Sequence, residues 1–187
     1  MLFTLALALA QAPAFPSLSA EEKAKFNAGE LVIRADTSSP TTVSTGIVKV
    51  KAPPELLWTE TLDFPARLPE NPTLKSIEEY GRISPDNWYV RFEMSIFGIH
   101  VTIHDHWTCF PAEFYCTWAQ DPDAKSDVRE EKGWLLVVPH AEGSAIAFHS
   151  EFISEVWAPS WIRKWLANDS MVNVLDKLRV RTERKAR

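Results

Sequence analysis

Asp105 is the residue of this sequence whose position most clearly suggests chemistry. It alternates with Ile103 and Trp107 along the segment 101–110, so these side chains share the apolar face of a predicted strand. A carboxylate on a buried face needs a partner or a raised pKa. Asp105 is therefore a candidate anchor for a ligand hydroxyl or amine, or a candidate general base. Two structural alternatives stay open: a bulge in the strand, or an ion pair with a nearby Arg or Lys.

Two histidines lie on the opposite face of the same predicted strand. His104 and His106 form a His-x-His pair, which is short of the three or four ligands that a stable metal site needs. Thr102 and Thr108 flank them, and this pattern is typical of a solvated outer face. The sequence also lacks a Gly-rich phosphate loop, a nucleophile elbow and an HExxH motif. We predict no metal site and no cofactor.

The two cysteines of the chain are close enough in sequence to face each other across a hairpin. If the chain reverses around residues 112–113, Cys109 lies opposite Cys116, and Trp107 lies opposite Trp118 on the same side. A cross-strand disulfide is then geometrically feasible, and an exported protein could form it. Two buried free thiols are the alternative.

The elements that would position these residues are a meander of strands and one long final helix. Alternating apolar residues and turn signals predict antiparallel strands from residue 74 to residue 156. A strand at 43–51 precedes them, followed by short helices at 55–62 and 63–68. Residues 158–184 carry large apolar residues at spacings of three, four and seven, as an amphipathic helix does. The sequence thus predicts an α+β fold with a curved antiparallel sheet wrapped around a long C-terminal α-helix, and two short helices after the first strand.

The N-terminal residues differ in composition from the rest of the chain. Residues 1–20 contain no charged side chain, and residues 2–10 form an apolar run followed by small residues. This run is too short to cross a bilayer, and it is typical of a secretory signal peptide. We expect a signal peptide at 1–20, a helix and extension at 21–42, the main domain at 43–187, and export to the periplasm or the exterior.

The overall charge limits the partners that the protein can have. The chain has 187 residues, which suits one domain, and a formal net charge of −5, which argues against binding nucleic acid. Residues 177–187 nevertheless contain six Lys or Arg residues and one Glu. The dipole of a final helix favours such a basic end. Transient contact with anionic lipid headgroups is a second interpretation.

Three local patterns, in this order, resemble the START-like proteins of the helix-grip superfamily. The first is VKAPPELLW at 50–58 with LDFP at 62–65, which is similar to the apolar strand, Ala-Pro and Leu-x-Asp opening of such chains. The second is GWLLVVP at 133–139, and the third is WIRKWLAN at 161–168, which resembles the start of the START C-terminal helix. The resemblance covers about residues 43–184.

This superfamily includes lipid-transfer START domains, birch-pollen-allergen-like proteins, polyketide cyclases and coenzyme-Q-binding proteins. The resemblance implies an apolar cavity between the sheet and the final helix that binds a lipid or other hydrophobic molecule. Val90 and Ile103 are further candidates for its core. The residues that we expect to line the ligand site are Phe92, Met94, Asp105, Trp107, Trp118, Trp134, Phe148, Phe152, Trp161 and Trp165.

Three functions are consistent with these patterns. The first is a non-enzymatic module that either holds a hydrophobic molecule or carries it from one place to another. The second is a cyclase- or aromatase-type enzyme of the same superfamily, in which Asp105 or a histidine does acid–base work. The sequence shows no convergent second catalytic group for it. The third is an interaction protein whose core is completely filled. Nothing in the sequence indicates an oligomeric state.

Overall fold

The fold is built on one antiparallel sheet of eight strands, seen in a computed structural model that describes residues 12–153 and 160–187. The strands lie side by side in the order β1-β2-β8-β7-β6-β5-β4-β3. The predicted α+β fold, a curved antiparallel sheet with a long C-terminal helix, is confirmed. The strands are β1 (Val32–Asp36), β2 (Thr41–Val50), β3 (Leu74–Ser84), β4 (Asn87–Ile96), β5 (Ile99–Phe110), β6 (Tyr115–Gln120), β7 (Glu130–His140) and β8 (Gly143–Ile153).

The helices lie at the start of the chain, after β2 and at the C-terminal end. The α-helices are α1 (Ala20–Asn27), α2 (Pro54–Leu62), α3 (Ser160–Trp165) and α4 (Met171–Lys185). The second short helix expected after β2 is only a 3₁₀ turn, Pro65–Arg67. Asp63, which precedes this turn, accepts a hydrogen bond from the backbone amide of Ala66. No described helix is both long enough and apolar enough to cross a membrane.

The final helix is not one continuous α-helix, as the periodicity of its apolar residues predicted. A π-helical turn, Leu166–Ser170, separates α3 from α4. The widened backbone of such a turn disturbs the regular hydrogen-bond ladder. In this turn the hydroxyl of Ser44 on β2 donates to the carbonyl of Ala167. The sheet therefore supplies a hydrogen bond at the point where the α-helical geometry is interrupted.

The N-terminal segment covers the outer face of the sheet at β1, β2 and β8. Helix α1 begins with a capping box, in which Ser19 and Glu22 each accept the other's backbone amide. Phe26 of this helix, with Phe15 and Leu18 before it, packs on an outer-face core formed by Val32, Ile47, Ala145 and Ala147. Residues 15–19 are thus part of the folded domain. The whole apolar run at 2–10 that suggested a signal peptide lies outside the described residues, as do all of residues 1–11.

The hairpin between β5 and β6 has the predicted register. Cys109 pairs with Cys116 and Trp107 pairs with Trp118 across it. The two cysteines form a disulfide, which decides between the two alternatives that the sequence left open. Both cysteines are buried in the core on the inner face of the sheet. The disulfide thereby fixes two adjacent strands next to the paired tryptophans.

Buried charges attach the C-terminal end of α4 to α2. Arg181 and Glu60 are each 4% exposed, and the Nε of Arg181 lies 3.0 Å from the Oε2 of Glu60. Arg181 also pairs with Glu70, and Lys185 donates to Glu60 over 2.7 Å. Removing one partner of a buried pair leaves the other charge uncompensated, so this arrangement fixes the two helices to each other. Part of the basic cluster at 177–187 therefore has an internal structural role.

Helix α4 packs unusually close to β2 because Gly46 has no side chain. A Cβ built on Gly46 would lie 2.3 Å from the Cδ1 of Leu175 and 2.8 Å from the Cγ of Met171. Both residues are buried in the core that α2, α4, β2, β7 and β8 share. The absence of a side chain at residue 46 thus sets the distance between the helix and the sheet.

We expect Gly46→Ala to destabilise the protein by about 1–3 kcal/mol, because the added methyl group overpacks the contact with Leu175. Leu175→Ala alone should cost about 2–5 kcal/mol by opening a cavity. In the double variant the added methyl group occupies part of the space that the shortened side chain leaves. The loss of unfolding free energy, measured by urea unfolding, should therefore be about 1 kcal/mol smaller than the sum of the losses in the two single variants. Strictly additive losses would contradict the close contact.

Candidate functional site

A hollow lies between the inner face of the sheet and the final helix. Its volume is about 260 Å³, and most of its lining is apolar. One buried water needs only about 10–15 Å³ on this measure, so the space is far larger than a packing defect. The core is therefore hollow rather than completely filled. Seven of the predicted residues line it, namely Phe92, Met94, Asp105, Trp107, Trp118, Phe148 and Phe152.

Trp134 does not line the cavity, because it lies on the opposite face of the sheet. Gly133 and Leu135 on either side of it face inward, so the alternation of β7 directs Trp134 outward. Its ring stacks on His149, with 5.3 Å between the ring centres, and packs against the outer-face core. The size of the side chain suggested an inner position, whereas the parity of the strand placed it outside.

Trp161 and Trp165 also lie away from the cavity. Trp161 is 53% exposed, and both rings pack against Phe97 in the turn between β4 and β5. The same helix presents Ile162 and Leu166 to the cavity instead. The apolar stripe of the helix is thus broader than the part that lines the cavity. Its largest residues, Trp161 and Trp165, contact Phe97 at the rim of the cavity. Further along, Met171, Val174 and Leu178 of α4 complete the helical wall, which the sequence analysis did not single out.

Asp105 faces the cavity as its strand parity predicted, and neither structural alternative applies. The pairing of β4 with β5 is regular through Asp105 and Val90, so no bulge turns the side chain outward. Asp105 takes part in no ion pair within residues 12–153 and 160–187, and the remaining residues include no Lys, Arg or His. The side chain is 2% exposed, and no group of the described chain hydrogen-bonds its Oδ1.

A second carboxyl group, Glu131 on β7, lines the same part of the cavity. It lies two strands from Asp105, across β6, on the same face of the sheet. Burial raises the pKa of Glu131 to about 7, although the neighbouring Trp118 indole favours its charged form. Burial, and then repulsion from Glu131, raises the pKa of Asp105 well above its usual range. Sequence reasoning missed Glu131, although it shares the inward parity of Gly133 and Leu135.

Two tryptophans complete this part of the cavity. The rings of Trp107 and Trp118 stack, 4.6 Å apart and nearly parallel, and both are at most 3% exposed. The Nε1 of Trp107 is a buried donor with no hydrogen-bond acceptor in the described parts of the chain. Asp105, Glu131, Trp107 and Trp118 are called the carboxyl pole below.

The cavity also has a cationic wall. Arg67 and Arg181 both line it. The guanidinium of Arg67 donates to the carbonyl of Thr61 and lies 4.7 Å from the centre of the Phe64 ring. Burial and the neighbouring Arg181 lower the pKa of Arg67 to about 10. The cavity thus combines an apolar lining with acidic and basic groups, of which sequence reasoning identified only Asp105.

The histidines on β5 lie on the outer face, as their parity predicted. His106 stacks on Tyr89 with 4.5 Å between ring centres, and its Nε2 lies 2.6 Å from Asn87 Oδ1. His104 packs edge-on against Tyr80. Within residues 12–153 and 160–187, no group of three or more His, Cys, Asp or Glu side chains is placed to hold a metal ion.

No protein-family model matches this sequence, and no curated protein matches it. Solved structures do match. The Zhui aromatase/cyclase from Streptomyces sp. R1128 aligns with a TM-score of 0.67 and 17% identity over 79% of this chain and 96% of that one. A STAR-related lipid transfer protein from Xanthomonas axonopodis aligns with a TM-score of 0.64 and 18% identity over 81% and 92%. The human StarD13 (DLC2) lipid transfer and protein localization domain aligns at 0.57 and 15% over 85% and 92%.

These similarities define the fold of the chain. It has the helix-grip fold that these solved structures share, as the three sequence patterns predicted. The proteins that share it include ones described as lipid transfer proteins and ones described as aromatase/cyclases, so the fold alone does not assign an activity.

The carboxyl pole should make the stability of the protein depend on pH. A carboxyl group whose pKa is raised by folding contributes its full stabilisation below its pKa in the unfolded chain, near 4.5. This contribution is lost as the pH rises through its pKa in the folded protein, which is about 7 for Glu131. Glu131→Gln, which cannot ionise, should therefore match the wild type near pH 4.5. At pH 8 it should be more stable by about 1 kcal/mol, since solvent screening reduces the effect at this half-buried group.

Urea unfolding at several pH values measures this difference. Glu130→Gln, a change at the exposed neighbour of Glu131, is the matched control and should follow the wild-type curve. Parallel curves for the wild type and Glu131→Gln from pH 4.5 to pH 8 would contradict a buried carboxyl pair.

Proposed function

We propose that this protein binds a lipid or other largely apolar small molecule in the cavity between the sheet and the final helix. The observation that carries the proposal is the cavity itself, about 260 Å³ of unfilled space in an otherwise well-packed core. Leaving such a space empty sacrifices the packing contacts of every side chain around it. A protein that retains this space gains most if a ligand fills it.

The lining suits an apolar ligand with few polar groups. Aromatic side chains from β4, β5, β6 and β8 form the sheet wall, and aliphatic side chains from α3 and α4 form the other. Each 100 Å² of apolar surface removed from water contributes roughly 2.5 kcal/mol. Small-molecule sites are mostly apolar with a few polar groups that set orientation, and the carboxyl pole and the cationic wall supply such groups here.

Exchange of the ligand requires part of the wall to move. The π-helical turn is the natural place, because Leu166 and Ser170 within it line the cavity. Interrupted helical geometry of this kind often marks a hinge. Opening at this turn would also release the contact of Trp161 and Trp165 with Phe97. A protein that opens and closes in this way can carry its ligand as well as hold it, and similar solved structures are described as lipid transfer proteins.

A second candidate function is acid–base catalysis on the bound molecule. The observation that favours it is Glu131, which provides beside Asp105 the second titratable group that the sequence analysis did not find. A group with a pKa near 7 can accept and return a proton at neutral pH. One similar solved structure is described as an aromatase/cyclase. An enzyme would convert the bound molecule, whereas a carrier would release it unchanged.

We also propose that the protein is exported. The apolar run at 2–10 is the first support for this. The disulfide between Cys109 and Cys116 is the second, because disulfides persist mainly in oxidising compartments.

The proposal predicts that the purified protein carries an apolar molecule that organic extraction releases. Ser150 on β8 lines the cavity, so Ser150→Phe should fill part of it and reduce the co-purifying molecule at least fivefold. Ala119→Phe adds the same ring on the exposed face of β6 and is the matched control. Mass spectrometry of extracts from equal amounts of folded protein measures the difference. Equal amounts of the same molecule from all three proteins would contradict binding in this cavity.

A further inference from the structure

Two buried polar atoms of the carboxyl pole lack a hydrogen-bond partner within the described parts of the chain. The Oδ1 of Asp105 has no hydrogen-bond donor, and the Nε1 of Trp107 has no acceptor, among the residues that the structure describes. Each side chain is 2% exposed, and both residues line the cavity. They lie two positions apart on one face of β5. Unpaired groups at such depth are costly, and native proteins rarely retain them without a role.

A hydroxyl is the simplest ligand group that satisfies both atoms. It carries one O–H donor for Asp105 and lone pairs that accept from the Trp107 indole. An ether or carbonyl oxygen accepts but has no hydrogen to donate to the Oδ1 of Asp105, and an ammonium group donates but cannot accept from the indole. A ligand carboxylate would bring a further buried negative charge next to two carboxyl groups that already resist ionisation. Each of these other head groups therefore leaves one of the two atoms unpaired or repelled.

The packing of neighbouring side chains holds the indole of Trp107 in place. Trp107 stacks on Trp118, and Trp118 in turn packs against Gly133, where a Cβ would lie 2.2 Å from its Cζ2. The indole is thus clamped between neighbouring strands before any ligand arrives. A preorganised donor loses little entropy on binding, which favours a specific head-group contact.

The charge balance around the pole favours a neutral head group over an amine. Burial disfavours the ionised form of Asp105 and of Glu131, and repulsion from Glu131 disfavours it further for Asp105. Arg67 lines the same cavity, pairs with no carboxylate among the described residues and would repel a cationic ligand. A neutral hydroxyl requires no compensating charge.

We propose that Asp105 and Trp107 form a head-group subsite that takes the hydroxyl of an otherwise apolar alcohol or phenol. The inference rests on the proposed function, because it names the chemical class of ligand that the cavity accepts. It assigns to Asp105 an orienting role in binding and needs no catalytic step.

Competition against a fluorescent apolar probe, N-phenyl-1-naphthylamine, tests the subsite at pH 7. Four ligands with the same decyl chain are compared: decan-1-ol, methyl decyl ether, decylamine and undecanoate. We expect decan-1-ol to displace the probe at about tenfold lower concentration than each of the others. The additional methyl group of the ether favours its burial, so it works against the expected result.

Variants assign the preference to the two residues. Trp107→Phe keeps the aromatic ring and removes the N–H, and should reduce the preference for decan-1-ol over the ether to threefold or less. Trp134→Phe makes the same change on the outer face of the sheet and should leave the tenfold preference intact. Asp105→Leu, an apolar replacement of similar size, should abolish the preference. Thermal unfolding confirms that each variant is folded, and Trp107→Phe alone decides the matter if Asp105→Leu does not fold.

The outcomes separate this inference from the proposed function. Tightest displacement by decylamine, or equal displacement by all four ligands, would overturn the hydroxyl subsite while leaving apolar binding in place. An unchanged preference in folded Trp107→Phe would overturn it as well. Failure of the probe and of every ligand to bind would overturn the proposed function, and this inference with it.

Discussion

The attachment of the final helix to one side of the sheet is the constraint on which the rest of the structure depends. At β2 the missing side chain of Gly46 allows α4 to approach closely, and Arg181 with Glu60 joins the same helix to α2. Toward β4 and β5 the helix contacts the sheet through α3, through Leu166 and through the rim around Phe97. Tight packing at one side and rim contact at the other leave the space between them unfilled.

The carboxyl pole uses this unfilled space in a way that a packed core would not allow. Burial disfavours the charged forms of the Asp105 and Glu131 carboxyl groups, and the indole of Trp107 presents a donor on the same face of the sheet. In a filled core these groups would be only a cost to stability. In a ligand cavity they fix the orientation of a molecule that apolar contacts alone would hold loosely. The same residues thus account for a destabilising feature through the binding function that we propose.

The sequence was sufficient for the fold and for part of the site. Strand alternation located Asp105 and the pairing of Cys109 with Cys116, because both depend only on parity and register. The alternation of β7 also places Trp134 on the outer face and Glu131 on the inner face. The large ring of Trp134 and the charge of Glu131 suggested the opposite positions. The π-helical turn and the unpaired indole of Trp107 depend on tertiary packing, so no local pattern could indicate them.

A ligand that enters the hollow should reach Trp107. The most direct measurement is the indole region of the ¹H–¹⁵N NMR spectrum during titration with decan-1-ol, with signals assigned by Trp107→Phe and Trp134→Phe. A new hydrogen bond should move the Trp107 Nε1–H signal downfield in a saturable manner, whereas Trp134 on the outer face should remain in place. Binding of the alcohol with a stationary Trp107 signal, or with equal movement of Trp134, would contradict the account.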